Sequence, residues 1–298
     1  MTKPQFALRL LLAGLCGLAS SHLLAQSPQH IAFTGLRSTA SPSSNPAQFN
    51  AVKTDASGNL YLLLDQKDGV RLLKTDPTAT NILAQAQLGA AGDIGLAMAL
   101  DPSGNIYITG TTTSGTLAST SGSAFPTAAD TSTNSFIAKF DPSLNPIFVT
   151  YTGSGRTAAS SIAATSDAVF ITGSTFTTTL PVTPSGIIQT PSSGSFQNGF
   201  VEKFNATGTT LLYATYLSAF NGDTAPSAIA ADTSDNAYIT GYTTSTGYPT
   251  LNALIPEFPP SSTTSGFLTK LAPAGDSILF STFIPGDGPT SLAFDPTT

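Results

Sequence analysis

Residues 49 to 298 repeat, and a repeating chain is constrained to build one supersecondary unit several times and to stack the copies. Asp55-Ala-Ser-Gly-Asn59-Leu-Tyr61 returns as Asp101-Pro-Ser-Gly-Asn105-Ile-Tyr-Ile-Thr-Gly110, as Thr165-Ser-Asp-Ala-Val-Phe-Ile-Thr-Gly173 and as Asp232-Thr-Ser-Asp-Asn236-Ala-Tyr-Ile-Thr-Gly241. A second motif carries a lysine each time, Lys74, Lys139, Lys203 and Lys270, at spacings of 65, 64 and 67 residues. A third closes the later units: Ile147 to Tyr151, Leu212 to Tyr216 and Ile278 to Phe283. A fifth copy begins at Ala293-Phe-Asp295-Pro.

Each unit reads as four short strands. A run such as Ser227 to Ala231 is followed by an Asp/Ser/Gly/Asn turn, whose residues tolerate positive φ and bond their own backbone. Ile106 to Thr109, Phe136 to Phe140 and Ile147 to Tyr151 then supply three more strands bounded by Gly, Pro or Asp. In the third strand Phe136, Ala138 and Phe140 share one face and Ile137 and Lys139 the other, which suits a sheet covered on both sides by neighbouring sheets. The expected architecture is all-β, a β-propeller of four-stranded antiparallel blades. About four blades and a partial fifth are expected, and these need not close a ring. The units fall near 49–92, 93–156, 157–222, 223–286 and 287–298.

Composition agrees. Charged residues make up only 9% of the chain, so few residues are available for exposed helix faces, while Thr, Ile, Phe and Tyr recur in short runs. Met1 to Ala25 has Lys3 and Arg9 before the apolar run Leu10 to Leu18 and small residues at Ala19, Ser20 and Ala25, the pattern of a secretory signal peptide cleaved after Ala25 or Ala19. Export to the periplasm, cell surface or medium follows as an expectation. A lipid anchor on Cys16 is disfavoured by the bulky Leu15 before it, and no later stretch is apolar enough to span a bilayer. Removing the leader leaves 17 acids against 9 bases and no cysteine, so a disulfide is excluded from the mature chain and nucleic acid finds no basic patch. Residues 26–48 form an N-terminal segment in which Ile31-Ala-Phe-Thr34 could supply a closing outer strand.

The three motifs in this order resemble the bacterial SBBP β-propeller repeats of exported and cell-surface proteins. The likeness covers roughly residues 49 to 298, with departures at Asp167-Ala168, where Gly-Asn is expected, and in the first unit, which lacks a Phe-Pro loop. The resemblance implies a scaffold or binding module and no particular activity.

Three units insert about 25 residues between the second and third strands, each with a bulky residue before proline: Phe125-Pro126, Leu180-Pro181 and Tyr248-Pro249. Loops of that length belong to binding surfaces or are anchored by their own packing, so these six residues are the candidate binding loops. The partner expected there is a polysaccharide or another surface protein. In the first unit only Asp65 to Gly69 separate the strands.

Acid–base chemistry has little to work with. The mature chain's only histidine, His30, precedes the first blade, so neither a Ser-His-Asp arrangement nor a His-ligated metal can be built in the repeats, and no cofactor is expected. Asp55, Asp101, Asp232 and Asp295 could ring an axis and hold calcium, but each belongs to a turn motif and is read as capping its own turn. The four lysines could form an anion-binding ring. Their plainer role is to lay the stem on a neighbouring blade with the ammonium near solvent or a turn acid. Tyr107, Tyr151, Phe170, Tyr213, Tyr216, Tyr238 and Phe283 could stack sugars but lie within strands, where blade packing is their expected task. Asn205-Ala-Thr207 matches a glycosylation acceptor, but at a strand end of a repeat it is read as a turn. The alternative function is a carbohydrate hydrolase or lyase using loop acids such as Asp130, Asp223 or Asp287.

Overall fold

The computed structural model describes residues 48–113, 115, 117–192, 196–218 and 221–293, with the side chain at 154 excepted. The leader, His30, the segment Ile31 to Thr34 and Asp295 lie outside the described residues.

Sixteen strands form four sheets, each of four antiparallel strands in chain order, and no helix occurs among the described residues. Blade 1 holds β1 (Gln48–Thr54), β2 (Leu60–Gln66), β3 (Gly69–Thr75) and β4 (Ile82–Leu88), and blade 2 holds β5 (Ile94–Leu100), β6 (Ile106–Thr112), β7 (Asn134–Phe140) and β8 (Pro146–Gly155). Blade 3 is β9 (Thr157–Ala164), β10 (Ala168–Thr175), β11 (Asn198–Asn205) and β12 (Leu211–Leu217). Blade 4 is β13 (Thr224–Ala231), β14 (Ala237–Thr243), β15 (Ser265–Leu271) and β16 (Ile278–Ile284). The first strands β1, β5, β9 and β13 pack successively against one another. The described part of the fifth copy, 287–293, forms no strand.

Alternation within the strands decides the stacking. On blade 2, Tyr107, Ile137 and Phe148 point toward blade 3, where they join Ile162, Val169, Ile171, Phe200 and Phe204 in one cluster. Ile106, Ile108, Phe136, Ala138 and Phe140 point the other way and meet Tyr61, Leu63, Val70 and Leu72 of blade 1. We call these the trailing and leading faces. Phe170, Val201 and Tyr213 on the trailing face of blade 3 pack on Ile229, Ile239, Phe267 and Phe283 of blade 4. Each fully covered large apolar side chain stabilises the stack by about 1.5–3 kcal/mol. None of the four hydrophobic clusters joins blade 4 back to blade 1.

The inner strand of every blade carries a register shift, between Phe49 and Ala51, Gly95 and Ala97, Thr172 and its partner step to Gly173, and Pro226 and Ala228. In blades 2 to 4 the partner at the shift is Gly110, Gly173 or Gly241, and a Cβ there would collide with the carbonyl oxygen of Ile94, Ala158 or Ala225. The glycines of the Thr-Gly signature are thus required by close approach of backbone across a bulge.

Glu202 breaks the pattern. It stands on the leading face of β11 at the place held by Leu73, Ala138 and Thr269 in the other blades, fully buried, with neither carboxylate oxygen hydrogen-bonded. Burial pushes its pKa well above the usual 4.5.

Candidate functional site

The repeat acids fold onto their own turns. Asp55 Oδ1 accepts from the N–H groups of Ser57 and Asn59, both at 2.9 Å, and Asn59 Nδ2 donates to Oδ2 at 2.8 Å. Asp101 does the same with Ser103 and Asn105, and Asp232 with Ser234 and Asn236. In blade 3 the position is Thr165, whose hydroxyl accepts from Ala168 N–H at 3.1 Å, so that turn holds no carboxylate at the motif position.

The lysines of blades 1 to 3 then tie each blade to the next. Lys74 lies 3.6 Å from Asp55 of its own blade and donates to the Pro142 carbonyl of blade 2 at 3.0 Å. Lys139 lies 3.7 Å from Asp101 and donates to the Ala206 carbonyl of blade 3 at 3.1 Å. Lys203, whose own turn has Thr165 at the motif position, reaches Asp235 at 3.1 Å and the Pro273 carbonyl at 3.0 Å, both on blade 4. Lys270 pairs with Asp232 at 3.5 Å, and its ammonium sits 4.6 Å from the Tyr238 ring centre. The ammonium groups of Lys74, Lys139 and Lys203 lie over the rings of Tyr61, Tyr107 and Phe170, at 5.0, 4.7 and 5.0 Å from the ring centres. These four cations are dispersed along the stack, one per blade.

The inserts 113–133, 176–197 and 244–264 fold back along the outer edge of their own blade. Phe125 donates its N–H to Thr150 Oγ1 at 3.0 Å, while its carbonyl accepts from Tyr151 N–H at 3.0 Å. Ile188 makes the same clamp on Thr215 and Tyr216, at 2.9 and 3.0 Å, and Ile255 on Thr282 and Phe283, at 2.8 and 3.1 Å. A second contact covers the strand earlier: Thr120 on Val149, Thr183 on Ala214, and Leu251 on Ser281. Free strand edges invite pairing with other chains, and these inserts occupy them.

The bulky-residue–proline pairs therefore fall into two structural classes. Phe125 belongs to the clamp with Ile188 and Ile255, and Pro126 beside it accepts from Ser119 Oγ at 2.5 Å. Leu180, 4% exposed, donates its N–H to Tyr216 Oη at 3.1 Å, and Pro181 beside it is half-buried. Tyr248, 3% exposed, shares a hydroxyl contact with Thr269 at 2.9 Å, and the Pro249 carbonyl accepts from Ser281 Oγ at 2.7 Å. The clamp threonines, Thr150, Thr215 and Thr282, are the functional residues that sequence reasoning missed. Their signal was present as the threonine before the aromatic in the third motif.

Between the inserts of blades 3 and 4 lies a cleft of about 200 Å³ lined by Ile188, Thr190, Pro191, Ser192, Ser218, Gly247 and Pro249. No lining side chain is ionisable. The loop acids sit elsewhere and in separate turns: Asp130 accepts from Ser132 N–H at 2.8 Å, Asp223 from Gln197 N–H at 2.7 Å, and Asp287 from Thr264 Oγ1 at 3.4 Å. Hydrogen bonds from Ser132 lower the pKa of Asp130. Asn205 behaves as a turn cap, its Oδ1 accepting from Thr209 N–H at 2.9 Å. No cluster of three or more His, Cys, Asp or Glu that could hold a metal, and no helix able to cross a membrane, occurs among the described residues.

Comparison with known proteins gives the same architecture. The family described as SBBP, beta-propeller repeat, matches residues 86–117 and 212–249. No curated protein matches the chain. Among solved structures it is similar to the Dos1 propeller, at 11% identity and a TM-score of 0.42 over 81% of this chain, and it spans about half (49%) of that protein. It is also similar to the computationally designed Ika8 protein, at 8% identity and a TM-score of 0.34 over 83% of this chain and 78% of the other. With SBBP matches at 86–117 and 212–249 and four sheets of four antiparallel strands, the chain carries SBBP-type β-propeller repeats within an all-β, propeller-like fold.

Proposed function

We propose that this protein is an exported binding scaffold that holds a neutral partner, a polysaccharide segment or a loop of another surface protein, against the inserts of blades 3 and 4. The cleft between those inserts carries the reading, because hydroxyls, prolines and aliphatic groups line it and no ionisable group does. The repeat's acids and lysines support the same reading, since turns and inter-blade ties occupy them. Export rests on the leader-like residues Met1 to Ala25.

Glycan arrays and pull-downs with the mature chain, alongside Thr190→Trp, test the binding role. Thr190 is exposed at the cleft, so the tryptophan fills it without disturbing the blade. Binding that Thr190→Trp abolishes and that Asp130→Asn, Asp223→Asn and Asp287→Asn leave intact supports the scaffold. Carbohydrate turnover lost in those Asn variants would replace it with the hydrolase or lyase reading. The N-terminal mass of protein recovered from fractionated cells tests export.

A further inference from the structure

The trailing face of blade 4 differs from those of blades 1 to 3 in having no blade against it. Tyr107, Ile137 and Phe148 on blade 2, and Phe170, Val201 and Tyr213 on blade 3, are all at most 3% exposed. Their counterparts on blade 4, Tyr238, Leu268 and Phe280, are only partly covered. The Lys270 side chain is 25% exposed, against 15%, 11% and 6% for Lys74, Lys139 and Lys203. Among the described residues Lys270 has no carbonyl partner corresponding to Pro142, Ala206 and Pro273.

The three filled seams specify what fits this face. The residue of the fourth strand that faces backward is Ala84, Phe148, Tyr213 or Phe280. Its neighbour across the seam is the left-handed residue of the next blade's last turn. Where the first is small, the second is large: Leu144 (φ 66) packs in the cluster that includes Ala84. Where the first is aromatic, the second is glycine, because a Cβ on Gly208 (φ +68) or Gly275 (φ +69) would run into the ring of Phe148 or Tyr213. Blade 4 presents the aromatic Phe280. The chain's own first blade carries Ala79 (φ 55) at the matching turn position, where a Cβ stands in place of the glycine hydrogen.

A docking track for the following blade already starts here. Asn50 Nδ2 donates to the Gly95 carbonyl of the next inner strand at 2.7 Å, and Ser160 Oγ to that of Pro226 at 2.9 Å. Ser227 Oγ donates in the same way to the Pro289 carbonyl at 2.5 Å. Gly266 N–H is bonded to the Gly286 carbonyl at 3.0 Å.

We propose that the trailing face of blade 4 is a docking surface for a further blade of this repeat that begins on the segment at Pro289. That blade's last turn offers a carbonyl to Lys270 and a left-handed glycine to Phe280, and the face rejects the chain's own first blade, whether in the same molecule or in a second copy.

Two measurements test this. In sedimentation velocity the full chain should stay monomeric; association with concentration that Phe280→Arg abolishes would overturn the exclusion of blade 1. The second uses the chain continued after residue 293 with a copy of 232–286, read by hydrogen exchange of the peptides holding Tyr238, Leu268 and Phe280. Exchange should slow by about tenfold or more when the added turn keeps glycine, and not when that glycine is leucine. Phe280→Ala should restore protection to the leucine version. Equal protection with either residue, or an added blade that stays unprotected in the glycine version, overturns the proposal.

Discussion

Lys203 Nζ lies 3.1 Å from Asp235 Oδ2 on the next blade, whereas Lys74, Lys139 and Lys270 each pair with an acid of their own blade. The difference follows from two substitutions within the repeat. Thr165 removes the acid from the motif position in the turn of blade 3, and Asp235 replaces the left-handed glycine (Gly58, Gly104) of the corresponding turn in blade 4, itself at φ 63. One ion pair therefore crosses a seam, whereas Lys74 and Lys139 cross theirs only through a carbonyl.

Lys203→Met keeps the stem on Phe170 and removes both bonds. It should cost about 1–3 kcal/mol in urea unfolding, because a carboxylate and a carbonyl lose their partner. Asp235→Asn should cost clearly less in the Lys203→Met background than in the parent chain, so a double-mutant cycle checks the pair. Equal cost in both backgrounds would show that the contact contributes nothing.

The edge clamps should be measurable one at a time. Thr215→Val removes the hydroxyl that accepts from Ile188 N–H and should lower stability by about 1 kcal/mol, with faster exchange of the Ile188 amide. Tyr248→Ala should cost more, about 3–5 kcal/mol, since its ring is buried 4.6 Å from that of Phe267. Thermal melts and exchange rates of the two variants separate these effects.

Gly173→Ala and Gly241→Ala should each destabilise by roughly 2–4 kcal/mol although neither glycine has a positive φ, since the added methyl meets a carbonyl across the bulge. Blade 1 carries Leu64 opposite Phe49 at this position, and with a side chain already accommodated there Leu64→Ala should behave as an ordinary core truncation. Chevron or equilibrium denaturation reads both.

Glu202 should make stability fall as the solution becomes less acidic. Its folded pKa is raised by burial, so the native state holds a proton that the unfolded chain releases above about 4.5. The favourable term is complete below that pH and declines by about 1.4 kcal/mol per pH unit until the folded pKa is reached. Glu202→Leu, the residue type at the same place in blade 1, should flatten this slope and stabilise the protein at pH 7. Asp141 works in the opposite sense: the Asn145 amide holds its carboxyl below 3.8, so its contribution is present above that pH and is lost on acidification. Unfolding curves from pH 3 to 8 on the parent and Glu202→Leu chains check both signs.

Strand positions and blade faces were legible because period-two alternation is local: Phe136, Ala138 and Phe140 can share a face only if the segment is extended. The turns were legible for a similar reason, since an aspartate and an asparagine four residues apart can satisfy each other without outside help. What crosses a seam was not. The carbonyl that Lys139 meets is 67 residues away in sequence and belongs to Ala206, a residue whose side chain carries no signal. Nor could the clamp be assigned to Phe125, Ile188 and Ile255 from dipeptides, because proline follows Phe125 and Ile255 but not Ile188. A backbone N–H and carbonyl do that work, and any residue supplies them.

Because each blade is packed only on its immediate neighbours, with no cluster linking the last to the first, heat or pulling force should undo this molecule from its ends inward, one module at a time. Under load the chain would then yield by steps, lengthening before it loses its last blade.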